Sequence, residues 1–73
     1  MKLVISRRIS QKGIGYYWND LDYYNIKIKD GCVEFDDGYG RHFIRKFKQT
    51  KWGLSFQHWT TLYVREVRED EEV

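Results

Sequence analysis

The chain has 73 residues, one cysteine and no proline, which fits one small domain and excludes an intramolecular disulfide framework. No apolar run approaches the ~20 residues of a membrane span, and the opening apolar stretch ends at Ile5 without a signal-peptide core. The formal net charge is only +2, so net charge alone assigns no partner. A lone cysteine suits a reducing compartment, and we therefore expect a soluble, cytoplasmic protein.

Charge is distributed unevenly along the chain. Residues 16–37 contain six acids and two lysines, whereas residues 38–58 contain five cations and no acid. Opposed patches of this kind favour orientation against another protein, whereas a nucleic-acid binder gains from one continuous positive face, so the charge pattern favours a protein as the macromolecular partner. Residues 1–68 are expected to form a single β-rich domain, and residues 69–73 to form a frayed acidic tail.

The first predicted strand is KLVISRRI, residues 2–9, and the aromatic segment GIGYYWNDLDYY, residues 13–24, follows it. A strand-like period places Tyr16 and Tyr17 on opposite sides, and a domain this small cannot bury both sides. We therefore expect both tyrosines at the surface. The side chains expected inside are Trp18, Leu21 and one of Tyr23 and Tyr24.

The clearest local signal is NIKIKDGCVEFDDGYG, residues 25–40. Asp30–Gly31 fits a two-residue type I′ hairpin turn, in which both central residues need positive φ. This turn pairs Lys29 with Cys32, Ile28 with Val33, Lys27 with Glu34 and Ile26 with Phe35. The apolar side chains then share one face, while a lysine meets a glutamate on the other face.

A second turn is predicted at Asp37–Gly38. It places Glu34 across from Arg41 and Phe35 across from Gly40. The hairpin would then continue as a three-stranded meander into RHFIRKFK, residues 41–48.

Residues 40–51 also fit a helix. At helical spacing Phe43, Ile44 and Phe47 form one stripe. Acids precede this segment and lysines end it, as the helix dipole favours. The meander is the preferred interpretation, and the helix stays open as the alternative.

WGLSF and TTLYVREV, residues 52–56 and 60–67, have the composition of closing strands. In the second segment apolar residues alternate with Tyr63 and Arg65. We therefore predict a mainly β fold: one small domain of five to six short antiparallel strands, curled into an SH3-like or OB-like half-barrel. An α+β fold with one helix at 40–51 is the alternative. The fold analogy by itself implies no function.

The sequence contains no recognisable catalytic or cofactor signature, so we expect a protein that is not an enzyme. Cys32 lies ten residues before His42, and His58 lies sixteen residues after it. These spacings match no zinc pattern, so we interpret the three residues as polar side chains on strands and expect no metal or cofactor. Cys32 is expected to be an unreactive thiol on the exposed face of the hairpin.

Exposed tyrosines beside carboxylates form the first candidate site. Its residues are Tyr16, Tyr17, Asp20 and Asp22. Tyrosine is common among interface hot spots, whereas carboxylates repel phosphates. The first hypothesis is therefore a protein-binding inhibitor or adaptor, of the size that viruses and mobile elements encode.

The cationic stretch RHFIRKFKQTKW, residues 41–52, supports nucleic-acid binding as the alternative. Cations neutralise phosphates, and interleaved rings stack on bases. The candidate residues are Arg41, Arg45, Lys46, Lys48, Lys51 and Trp52, and Arg7, Arg8 and Lys12 would widen the patch if the first strand lies alongside. Against this hypothesis, Phe43 and Phe47 could belong to the core, with the lysines merely solvated.

Overall fold

The computed structural model describes residues 2–68 and consists of eight antiparallel strands in two sheets. The strands are β1 (Lys2–Gln11), β2 (Gly15–Asp20), β3 (Tyr24–Lys29), β4 (Cys32–Asp36), β5 (Arg41–Ile44), β6 (Phe47–Thr50), β7 (Gly53–Gln57) and β8 (Thr61–Val67). The predicted mainly β fold is confirmed. These residues contain no helix, and hence none long and apolar enough to cross a membrane. The predicted acidic tail, residues 69–73, lies outside the described residues.

One sheet has five strands in the order β2-β1-β8-β7-β6, and the other has three in the order β3-β4-β5. There are more strands than the predicted five or six. The aromatic segment supplies its own strand, and RHFIRKFK divides between the two sheets: β5 pairs with β4, whereas β6 pairs with β7. The predicted meander therefore ends at Ile44, and Arg45 and Lys46 carry the chain from one sheet to the other.

The core lies between the two sheets. The five-stranded sheet contributes Ile5, Phe56, Leu62 and Val64, and the three-stranded sheet contributes Val33 and Phe35. Because side chains alternate along a strand, the residues next to these point away from the core. This alternation gives the five-stranded sheet an outer face that is turned away from the three-stranded sheet. The candidate site lies on this outer face.

The first hairpin forms as predicted near its turn. Asp30 and Gly31 have φ values of 52° and 70°, the positive pair that a type I′ turn requires. The register pairs Lys29 with Cys32, Ile28 with Val33 and Lys27 with Glu34. Beyond this point a β-bulge shifts the register, so Tyr24 lies across from Asp36. The bulge replaces the predicted pairing of Ile26 with Phe35.

The second turn differs from the prediction by one residue. Its two-residue loop is Gly38–Tyr39, because the Asp37 N–H donates to the Gly40 carbonyl oxygen and so closes the hairpin. Asp37 Oδ1 also accepts hydrogen bonds from the N–H groups of Tyr39 and Gly40, at 2.8 and 3.0 Å. The observed register pairs Phe35 with His42 and Asp36 with Arg41. Moving the loop by one residue shifts the strand pairing by two residues, so each side chain stays on its predicted face.

The alternative helix over 40–51 does not form. His42 and Ile44 lie on the same face as Phe35 and Val33, so the apolar side chains of β4 favour strand pairing over the helical stripe. Phe43, which the helix would have turned inward, is exposed. The predicted exposure of Cys32 is also wrong: this side chain is 4% exposed, and its Sγ lies 3.8 Å from the Val33 carbonyl oxygen.

Candidate functional site

Four aromatic rings lie together on the outer face of the five-stranded sheet. Three of them pack edge to face: the Trp18 ring centroid is 5.3 Å from Tyr63 and 6.5 Å from Trp52, and Trp52 is 5.9 Å from Tyr63. Trp18 is on β2, Tyr63 on β8, and Trp52 in the turn between β6 and β7. Tyr16 lies two residues before Trp18 on the same side of β2. These rings come from three separate parts of the chain.

Three cations lie over these rings. The guanidinium carbon of Arg8 is 4.4 Å from the Trp52 centroid, 4.8 Å from Tyr16 and 5.0 Å from Trp18. The pairing of Arg8 with Trp18 across β1 and β2 explains this position. Each contact is a cation–π interaction, in which the ring face attracts the positive charge.

Two further cations complete the cluster. Arg65 lies 4.4 Å over Trp18, and Lys51 lies 4.8 Å over Trp52. We call the seven residues the aromatic–cationic face: Arg8, Tyr16, Trp18, Lys51, Trp52, Tyr63 and Arg65. Long side chains on this face cover the small ones beneath, so Ser6 and Ser55 are buried although they point outward.

One carboxylate fixes part of this face. Asp20 Oδ1 lies 3.2 Å from Arg65 and accepts a hydrogen bond of 2.5 Å from the Ser6 hydroxyl. Arg65 also contacts the Ser6 hydroxyl at 3.4 Å. Asp20 therefore orients Arg65 over the rings. Because three cations lie beside this one carboxylate, the net charge of the face is positive.

A shallow groove continues the face toward β6. Its volume is about 650 Å³, and it runs from Trp52 and Tyr63 to Lys46 and Lys48. Hydroxyl and amide side chains of Thr50, Ser55, Gln57 and Thr61 also line it. Aromatic surface at one end and ammonium groups at the other suit a ligand with both flat rings and negative charge.

The structure does not gather the residues of the predicted tyrosine–carboxylate patch on one surface. Tyr16 and Tyr17 are 64% and 46% exposed, as expected, but they point to opposite faces of β2. Asp20 is engaged with Arg65, and Asp22 is exposed in the connection between β2 and β3. Trp18, expected in the core, is half-buried on the outer face instead.

Two other predictions for this segment are confirmed. Leu21 and Tyr23 pack against the core. Tyr23 stacks on Phe35 with a centroid distance of 4.9 Å, while Tyr24 is exposed.

The predicted basic residues separate into two groups. Arg41 lies on the other sheet, with ion pairs of 3.0 Å to Asp36 and 3.1 Å to Glu34. Hydrogen bonds to these two carboxylates raise the pKa of Arg41 above its ordinary value. Because its charge is matched, Arg41 does not belong to a positive surface.

The other candidate residues of the basic stretch 41–52 lie on or near the aromatic–cationic face. Lys51 and Trp52 belong to it, Lys46 and Lys48 line the groove, and Arg45 is exposed at the crossing between the sheets. Of Arg7, Arg8 and Lys12, the three cations expected to widen the basic patch, only Arg8 belongs to the aromatic–cationic face. Arg7 points the other way and lies 5.2 Å over the Trp59 ring.

Sequence reasoning missed Tyr63, Arg65 and Trp18 as members of this site. The alternation in TTLYVREV does place Tyr63 and Arg65 together on one side of a strand. The missing information was the strand order, which sets β8 beside β1 and so brings residues more than 40 positions apart into contact.

A second cluster of chemically active side chains lies where the two sheets meet. It consists of Asp37, His42 and His58, whose possible metal-ligating atoms all lie within 4.8 Å of one another. His42 Nε2 is 2.7 Å from Asp37 Oδ2, and the two imidazole centroids are 4.6 Å apart. The sequence spacing had given no indication of this cluster.

Comparison with protein-family models, with curated proteins and with solved structures finds no match to this chain. An inference about function therefore depends on the geometry and charge of the chain itself, above all on the aromatic–cationic face.

Proposed function

We propose that this chain is a non-enzymatic binding module whose aromatic–cationic face binds single-stranded nucleic acid. The observation that supports the proposal most strongly is the convergence of four rings and three cations on one sheet face that no other described element covers. Aromatic rings stack on unpaired bases, and cations along the same path neutralise phosphates. The single cysteine favours the cytoplasm as the place of binding.

A single strand fits this face better than a duplex. In a duplex the flat surfaces of the bases are stacked inside, whereas a splayed strand offers them to a sheet surface. Tyr16 and Trp52 are the most exposed rings of the face, at 64% and 38%, so they are the expected stacking positions. Lys46 and Lys48 in the groove would contact phosphates of the same strand.

Fluorescence anisotropy with a labelled single-stranded oligonucleotide tests the proposal, with DNA and RNA in separate titrations. Trp52→Ala should weaken binding by about 1–3 kcal/mol, the usual contribution of one stacked base. Tyr39→Ala is the matched control, because Tyr39 is 99% exposed in the turn between β4 and β5, away from the face. Equal losses in both variants would contradict the proposal.

Salt dependence gives an independent test of phosphate contact. The logarithm of the association constant should fall with the logarithm of salt concentration by about 0.7 per phosphate contact for a single strand. Replacing Lys48 and Lys51 by glutamine should reduce this slope by about 1.4. The same double change at Lys27 and Lys29, exposed on the three-stranded sheet, should leave the slope unchanged. Absence of binding at low salt would reject nucleic acid as the ligand.

Protein binding is the second candidate, and the edge position of β2 favours it. Within residues 2–68, β2 pairs with β1 on one side and has no strand on the other. An open strand edge with exposed Tyr16 and Tyr17 can accept a strand from a partner protein.

Tyr17→Ala separates the two candidates because Tyr17 points away from the aromatic–cationic face. If nucleic acid is the ligand, this variant should bind the oligonucleotide like the unchanged chain. If a protein binds at β2, the variant should lose the partner captured from a nuclease-treated lysate. Nuclease treatment removes capture that nucleic acid bridges.

A further inference from the structure

We propose that Asp37, His42 and His58 form a binding site for a divalent transition-metal ion such as Zn²⁺. Two imidazoles and one carboxylate are donors that such ions prefer. All three donors lie within 4.8 Å of one another at the junction of the two sheets. The inference is independent of the nucleic-acid face, which lies on the opposite side of the five-stranded sheet.

The donor distances are close to those that a metal ion needs. Bonds of about 2.0–2.2 Å in tetrahedral geometry place donor atoms about 3.3 Å apart. His42 Nε2 and Asp37 Oδ2 are now closer than this, at 2.7 Å, and the widest separation in the cluster is within 4.8 Å. Side-chain shifts of about 1–2 Å therefore reach the required geometry. His58 is exposed and has room for such a shift.

Hydrogen bonds hold the carboxylate in a suitable orientation. The N–H groups of Tyr39 and Gly40 donate to Asp37 Oδ1, which leaves Oδ2 directed at His42. Hydrogen bonds from backbone N–H groups favour the charged form of a carboxyl group. This charged form is the one that ligates a metal ion.

The Phe35 ring shields one side of the cluster. Its centroid lies 5.2 Å from the His42 ring, to which it is nearly parallel, and 5.5 Å from the His58 ring, to which it is perpendicular. Phe35 is fully buried, so this wall of the site is rigid and apolar. Outer contacts that fix the orientation of ligands commonly strengthen a metal site.

Metal binding would join the two sheets. Asp37 and His42 belong to the turn and strand of the three-stranded sheet, whereas His58 follows β7 of the five-stranded sheet. An ion that bridges these elements binds the folded chain and not the unfolded one, so it should raise stability. Three protein ligands leave a fourth coordination position for water.

The test uses the tag-free full chain after treatment with a chelator. Titration with Zn²⁺ in a calorimeter should show saturable binding of one ion per chain, and Zn²⁺ should raise the thermal midpoint. Co²⁺ in the same site should give visible absorption with the intensity of a tetrahedral complex. Mg²⁺ should do neither, because it prefers an octahedral set of oxygen ligands.

Variants identify the ligands. His58→Gln should weaken Zn²⁺ binding at least tenfold and leave the metal-free midpoint nearly unchanged, because the side chain is exposed. Asp37→Asn should also weaken binding, whereas the matched control Asp36→Asn and the thiol control Cys32→Ser should retain it. The proposal is overturned if the unchanged chain shows no saturable binding, or if His58→Gln and Asp37→Asn bind Zn²⁺ as well as it does.

Discussion

Gly53, the first residue of β7, lies close to the backbone of β8. Its φ is +126°, and a Cβ added there would overlap the carbonyl oxygen of Val64. That oxygen belongs to backbone held by the pairing of β7 with β8, so no side-chain rotation can relieve the overlap. Gly31 is the natural comparison, because it also has positive φ, +70°, but an added Cβ meets nothing within 4 Å.

The two glycines should therefore differ in the cost of substitution by alanine. Gly31→Ala should lower the free energy of unfolding by about 1 kcal/mol, the cost of a left-handed conformation for a residue with a Cβ. Gly53→Ala adds displacement of backbone to a conformational strain of about 1–3 kcal/mol, so we expect a total loss of at least about 3 kcal/mol. A chain of 73 residues has about 4–11 kcal/mol in all.

Urea unfolding followed by tryptophan fluorescence and by far-ultraviolet circular dichroism measures both losses. Gly53→Ala should move the midpoint at least twice as far as Gly31→Ala at an unchanged slope. If the two variants lose equal stability, the close approach of Gly53 to the Val64 carbonyl oxygen does not constrain the fold, and this prediction is wrong.

Three further predictions follow from burial and charge. Phe35→Ala should cost about 3–5 kcal/mol, because the ring is fully buried between the sheets; an unchanged urea midpoint would contradict this. Trp18→Ala should cost less, about 1–3 kcal/mol, because the ring is half-buried on the outer face; a loss as large as that of Phe35→Ala would place it in the core. Hydrogen bonds from Asn25, and then from Arg41, lower the pKa of Asp36 in the folded chain. The stability that these bonds contribute is therefore present above the ordinary aspartate pKa of about 3.9, and it is lost as the pH falls through the lowered pKa of the folded state. A carboxyl titration by nuclear magnetic resonance should therefore give a midpoint below the ordinary value in the unchanged chain and a higher one in Arg41→Gln, and equal midpoints would show that Arg41 has no influence.

The hairpin around Asp30–Gly31 could be predicted because its determinants are local. Turn chemistry, alternation of apolar residues and the pairing of Lys27 with Glu34 agree on one register near the turn. The bulge further along β3 had no such signal. Asn25 adopts a φ of 53° there and donates a hydrogen bond to Asp36, a contact that depends on the neighbouring strand.

The second turn shows how one side chain changes a register. Asp-Gly sequences favour two-residue turns, and Asp37–Gly38 carries the same signal as the first turn. Here the Asp37 carboxylate accepts two backbone hydrogen bonds across the loop, so it closes the turn and does not occupy its centre. Propensity alone cannot distinguish these two roles of an aspartate.

The sequence predicted the kinds of side chain at the site, aromatic and cationic, but not which of these residues would come together. Aromatic density and cationic density are both visible in the sequence, and Lys48, Lys51 and Trp52 were identified as candidates and lie at the site. Arg41 does not belong to one positive surface, because Glu34 and Asp36 of β4 match its charge. The predicted register had already placed Glu34 across from Arg41, but the contact with Asp36 depends on the observed shift of the turn.

The class of fold, the first hairpin and the excess of aromatic rings over what a small core can bury are all properties that the amino-acid sequence predicts. These properties follow from composition, period and turn residues, which act over a few positions. By contrast, the set of rings and cations that share a face, and the meeting of two histidines with a carboxylate, depend on the arrangement of the strands in three dimensions. Arg8, Trp52 and Tyr63 converge because β1, β8 and β7 are adjacent in the sheet, and His42 meets His58 because two sheets close on one core. Strand order depends on the packing of the whole chain, so no local pattern specifies it.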